Sequence, residues 1–164
     1  MNPIVFVDRI EPDPTSLIMQ VVRACKELSI ADDFNKSAAI FIKPNLTYPT
    51  YKAGVTTRKE FVEAIVAALR EINNTTKIYI GEGEGGYNSF SMTDAMRSMG
   101  FYEIEQSYPN VEVINLSKLP RRTFELKVKG KAYPIDLPRI FFDEIDFSIT
   151  CPLPKVHCMT RITL

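Results

Sequence analysis

The sequence predicts an α/β fold: a mainly parallel sheet with helices on both faces, plus a β-hairpin arm. Three observations carry this. Short apolar runs such as "AAIFIKP" alternate with helical stretches of ten or more residues, the rhythm of βαβ units. Those runs are apolar at successive positions, as in "IVFVD", so such strands need cover on both faces. Between residues 123 and 136 the rhythm changes: "TFELKV" and "KAYPID" flank the turn residues Lys129 and Gly130.

In chain order, "IVFVD", Ile4 to Asp8, predicts the first strand. Asp13 and Pro14 then supply an N-cap and a first-turn proline. Leu17, Val21, Val22, Cys25 and Leu28 follow at helical spacing. The run Ala38 to Pro44 is the second and most hydrophobic strand. A loop leads to Thr56 and Thr57, where Thr57 and Glu60 make a capping-box pattern. The helix it opens, "RKEFVEAIVAALREI", carries Phe61, Ile65, Ala68, Leu69 and Ile72 along one stripe. "TKIYI", Thr76 to Ile80, is the third strand, and "GEGEGG" follows at once. A short helix around Met92 to Met99 is stopped by Gly100. "VEVINL", Val111 to Leu116, is the fourth strand. After the arm, a short helix around Pro138 to Glu144 leads into "DFSITC". No repeat, low-complexity segment or linker interrupts residues 1–164, which predicts a single α/β domain.

Composition narrows the function classes. Hydrophobic residues make up 45% and charged residues 24%, the balance of a globular protein. Twenty basic residues offset twenty acidic ones, leaving no footprint for nucleic acid or an anionic membrane. The basic run Lys118 to Lys131 contains one acid, Glu125, and its alternation is that of a solvated strand face. Three cysteines are too few and too odd in number for a disulfide framework. The first residues lack the pattern of a signal peptide, and no run reaches the ~18 apolar residues of a spanning helix. A cytoplasmic protein is the expectation.

Three segments fall where open α/β sheets bind ligands, beyond the carboxyl ends of strands. In "IKPNL", Lys43 offers a compact positive charge to an anion and Asn45 a donor or acceptor beside it. A snorkelling lysine beside an asparagine turn explains the same residues. Thr56 and Thr57 open a helix whose N-terminus favours anions, and Thr57 is equally a plain N-cap. "GEGEGG" satisfies G-x-G-x-x-G through Gly81, Gly83 and Gly86, but its two glutamates would repel a pyrophosphate and its helix starts too late. Glu82 and Glu84 could instead hold a divalent cation through oxygen ligands.

The closing segment "CPLPKVHC" contains the one histidine. Cys151 and Cys158 are too far apart for zinc spacing, and the chain has too few cysteines for an iron–sulfur cluster of its own. Pro152 and Pro154 force the strand out of the sheet ladder. Lys155 and His157 then project from one side, where they can hold an anion or move a proton near pH 7.

The ordered set "IKPNL", "GVTTRKEFVEAIVAAL", "GEGEGG" and "CPLPKVHCMTRITL" resembles the family catalogued as domain of unknown function 362, over about residues 40–164. The resemblance implies a fold similar to the nickel-dependent lactate racemase group. It also implies that the chain continues past Leu164 in its relatives, many of which carry an iron–sulfur module. Two functions follow as expectations. One is an enzyme-like domain binding a small anionic ligand, with a metal's help at Glu82 and Glu84: Lys43, Asn45, Thr56, Thr57 and Gly83 bind it, and Lys155 and His157 act as catalytic groups. The other is the non-catalytic half of a larger iron–sulfur-associated redox or metal-delivery protein, acting through domain contacts. On the resemblance the chain is expected to be truncated at its C-terminus, and either to form a homodimer or to lack its C-terminal part.

Overall fold

The computed structural model describes residues 4–10, 13–85, 89–157 and 161–163. Helix α1, Pro14–Glu27, starts where the sequence places it: the Asp13 carboxylate accepts from Ser16 N at 2.8 Å and Pro14 fills the first turn. A short helix α2, Ala31–Lys36, precedes strand β1, Ala39–Pro44. Helix α3, Lys59–Ile72, returns the chain to β2, Lys77–Glu82. Two short helices follow, α4 (Met92–Ser98) and α5 (Phe101–Ser107), before β3, Val111–Asn115. Strands β4 (Arg121–Val128) and β5 (Lys131–Pro138) form the arm. Helix α6, Ile140–Asp143, leads to β6, Phe147–Cys151, and a small ribbon pairs β7 (Lys155–His157) with β8 (Arg161–Thr163).

The main sheet has four parallel strands in the order β3-β2-β1-β6. Its interior is apolar on both sides because β1 and β2 have helices above and below. One face packs Ile40, Ile42, Ile78, Ile80 and Val113 against α1 to α5, with Val62 and Val66 of α3 fully buried. Each such side chain contributes about 1.5–3 kcal/mol of hydrophobic stabilisation. The opposite face packs Ala39, Phe41, Tyr79 and Ile114 under Ile140 and Phe141 of α6. Phe41 and Phe141 meet edge to face there, with ring centroids 4.9 Å apart. The predicted parallel sheet, its helices and the hairpin arm are therefore all present. In the arm, Lys129 and Gly130 both take positive φ, the backbone of a tight two-residue hairpin turn.

Local expectations differ in four places. Residues 4–10 form no strand: Ile4, Val5 and Val7 are 66%, 78% and 85% exposed, and no ladder partner satisfies their backbone. Gly100 ends α4 as expected, but its left-handed φ of 78° turns the chain straight into α5. The short α2 has no predicted counterpart. The capping box also fails, because Arg58 is the N-cap of α3 and the Thr57 hydroxyl is engaged elsewhere. No helix among the described residues is long and apolar enough to cross a membrane.

Candidate functional site

The register of the sheet brings the three predicted segments to one end. Lys43 lies opposite Thr150 and Pro44 opposite Cys151, while Gly81 and Glu82 lie opposite Ile114 and Asn115. All four strands finish here, so this edge gathers the polar residues that the apolar strand interiors exclude.

Lys43 and Glu82 meet across β1 and β2, with Lys43 Nζ donating to Glu82 Oε2 at 2.5 Å. Lys43 therefore has a neutralising neighbour on the adjacent strand. Its side chain is 39% exposed, so the pair faces solvent on one side. Glu82 is the last residue of β2, and its other oxygen accepts from Gly83 N. Glu84 turns the other way. It accepts from Met92 N at the start of α4 and from Asn115 Nδ2 at 2.9 Å. The two glutamates are thus engaged with different partners, and among the described residues no three His, Cys, Asp or Glu side chains gather as a ligand set. A divalent cation at Glu82 would have to displace the Lys43 ammonium.

Thr56, Thr57 and Asn45 brace the loop after β1. The Thr57 hydroxyl accepts from Asn45 N at 2.8 Å and donates to Cys151 O at 2.7 Å, tying the ends of β1 and β6 together. Asn45 Nδ2 donates to Val55 O, and Asn45 O accepts from Thr57 N. Thr56 closes the adjacent turn through both polar groups of the Lys52 backbone. Both threonine side chains are buried and occupied by these bonds.

Beyond Cys151 the two prolines act as predicted: β6 stops and a separate ribbon begins at Lys155. In the ribbon, Lys155 pairs with Thr163 and His157 with Arg161 of β8. The His157 side chain, Cys158 and Gly86 lie outside the described residues. The Lys155 ammonium is buried and has no hydrogen-bond partner among the described residues. Cys151 is buried, and desolvation pushes its thiol up to about 12 despite the opposing charge of Lys43. It is an inert packing residue rather than a nucleophile.

Two cavities flank this edge. One, of about 480 Å³, is apolar and lined by Leu17, Phe61, Cys151, Leu153 and Pro154, with Ile10 at its rim. The other, of about 520 Å³, is polar and lies between Glu84, Ser91, Ser117 and Lys118. The sequence did not single out Asn115, whose amide bridges Glu84 and Thr93 at the end of β3. An asparagine ending an apolar strand was the available signal, the same one that marked Asn45 at the end of β1.

Comparison with curated proteins returns no match, and comparison with solved structures returns none. The family described as domain of unknown function (DUF362) matches residues 40–164, which span β1, α3, the "GEGEGG" segment and the β6 exit. The chain belongs to that family.

Proposed function

We propose that this chain binds a small anionic ligand at the carboxyl ends of β1 and β6, with Lys155 as the principal cation. The observation that carries the reading is the buried Lys155 ammonium just past the strand exit, which has no hydrogen-bond partner among the described residues. An isolated buried charge is costly, and an anion is the partner that offsets that cost. Lys43 adds a second positive charge at the same sheet edge, held in place by Glu82. Asn45, Thr56 and Thr57 serve the ligand indirectly, by fixing the loop between β1 and α3. Gly83 donates its amide to the Glu82 carboxylate, and His157, two residues after Lys155, is the group assigned to move a proton near neutral pH. The free, buried thiols of Cys25 and Cys151 support a reducing, cytoplasmic setting.

Thermal denaturation with inorganic phosphate, oxalate and citrate tests this. At 100-fold excess over Kd a ligand adds about 2.7 kcal/mol, or roughly 5–10 °C for a chain of this size. Lys155→Met should abolish the shift, and Lys43→Met should reduce it. Equal shifts in all three proteins would sink the assignment.

A contact role has one specific observation in its favour. The arm exposes Leu126, Val128 and Tyr133, and a lone two-stranded ribbon is marginally stable in water. On that reading the arm is an interface element, and Leu126→Glu should abolish association with the partner while leaving anion binding intact.

A further inference from the structure

The exposed segment Ile4–Ile10 and the outer edge of β6 fit one another. Among the described residues, β6 has no neighbour on the side away from β1, so its backbone groups there lack ladder partners. Ile4, Val5 and Val7 form an apolar run of the kind that fills a parallel strand, yet all three are exposed. The segment already runs antiparallel to α1, as a strand feeding that helix must. Ile10 lies near Pro14 and Leu17, Gln20 Nε2 donates to Arg9 O, and Arg23 pairs with Asp8 and sits over the Phe6 ring. Between this segment and the end of β6 lies the apolar cavity of about 480 Å³, bounded by Ile10 and Leu17 on one side and Cys151 to Pro154 on the other. The arrangement is locally incomplete, since Gln20 Oε1 is buried with no donor among the described residues.

Topology selects the place. The steps β1 to β2 and β2 to β3 run in one direction with α3, α4 and α5 on the same face, while the return to β6 crosses the opposite face through α6. About 98% of such parallel crossovers are right-handed, and one hand serves all these steps. Helix α1 packs on the face of α3, so a strand preceding it must step toward β1 from the β6 side. The first free position there is the outer edge of β6.

We propose that Ile4–Asp8 closes on β6 as a fifth parallel strand, giving the order β3-β2-β1-β6 followed by the N-terminal strand. Five residues face the five of Phe147–Cys151, and α1 begins at Pro14, with Asp13 as its N-cap. Closure covers the apolar cavity next to the β6 exit, beside the proposed Lys155 site, but amide exchange at the N-terminal segment reads closure without any anion present.

Backbone amide exchange on the full chain, read residue by residue, tests the proposal alongside sedimentation. Edge-strand amides point alternately to the sheet and to solvent, so one alternate set, Val5 and Val7 or Phe6 and Asp8, should exchange at least about 100-fold more slowly than in a free peptide. Val7→Asp and Val7→Pro should restore fast exchange at the remaining amides from Val5 to Asp8 and lower Tm, although Val7 is 85% exposed in the open arrangement. Fast exchange at every amide from Val5 to Asp8 in the unmodified chain would overturn the proposal. So would an unchanged Tm in both variants. Protection found only in a dimer fraction would overturn closure within one chain and assign the edge to a second copy.

Discussion

Replacing Thr57 by valine removes one hydroxyl and keeps the shape of the side chain. That hydroxyl accepts from Asn45 N and donates to Cys151 O, so the substitution strands a half-buried N–H and a buried carbonyl. Each unsatisfied buried group costs about 1–3 kcal/mol, which puts Thr57→Val at roughly 2–4 kcal/mol. For a chain of 150–250 residues that lowers Tm by about 4–16 °C, at roughly 2–4 °C per kcal/mol. Urea denaturation with a shared m-value gives the free energy directly. Thr57→Ser retains the hydroxyl and loses one methyl, so it should cost no more than about 1.5 kcal/mol. A valine variant within about 0.5 kcal/mol of the parent, or a serine variant as costly as valine, would refute the bracket.

Gly81→Ala should destabilise by about 1–3 kcal/mol, since its Cβ would meet Ile114 O at 2.6 Å and the β3 backbone would have to yield; calorimetry reads this as a fall in Tm. Stability should also fall in alkali. The Cys151 thiol rises from 9.0 to about 12 on folding, so the unfolded chain releases that proton first. The contribution is intact below pH 9 and lost between 9 and 12, at most about 4 kcal/mol at 1.36 kcal/mol per pH unit. Tyr79, raised to about 12 by burial and by its bond to Glu144, acts with the same sign from pH 10 upward. Urea denaturation at pH 8, 10 and 11 should show a shallower decline in Cys151→Ala, and equal declines would contradict the assignment. In the arm, Tyr133→Ala should change stability by no more than about 0.5 kcal/mol, because Tyr133 is 48% exposed; a loss above about 1.5 would reveal packing that the isolated arm lacks.

The parallel sheet was legible because its strands are apolar runs, and a buried parallel strand has no other way to be written. Helix α1 was legible for a local reason, as Asp13 and Pro14 lie next to the turn they start. What escaped depends on distant partners. Thr57 has the spacing of a capping residue, and only Cys151, 94 positions later, turns it into a bracket between strands. Glu82 belongs to a glycine-rich run, yet Lys43, 39 positions earlier, holds it in an ion pair on a strand. Gly81 matches a phosphate-loop pattern only by its letters, and what its lack of a side chain does, letting β2 lie close to Ile114, depends on a strand that the local sequence does not name. Gly100 stopped a helix as expected, but glycine alone does not say that another helix follows. The segment Ile4–Asp8 has the composition of a strand, and composition cannot say whether an edge receives it.

The binding reading rests on Lys155, so the most direct measurement is a crystal structure of the chain grown with oxalate or phosphate. The account predicts an anion oxygen at ordinary hydrogen-bond distance, about 2.7–3.2 Å, from Lys155 Nζ at the exit of β6. An anion held only by surface lysines elsewhere, with the Lys155 ammonium still unpartnered, would contradict it.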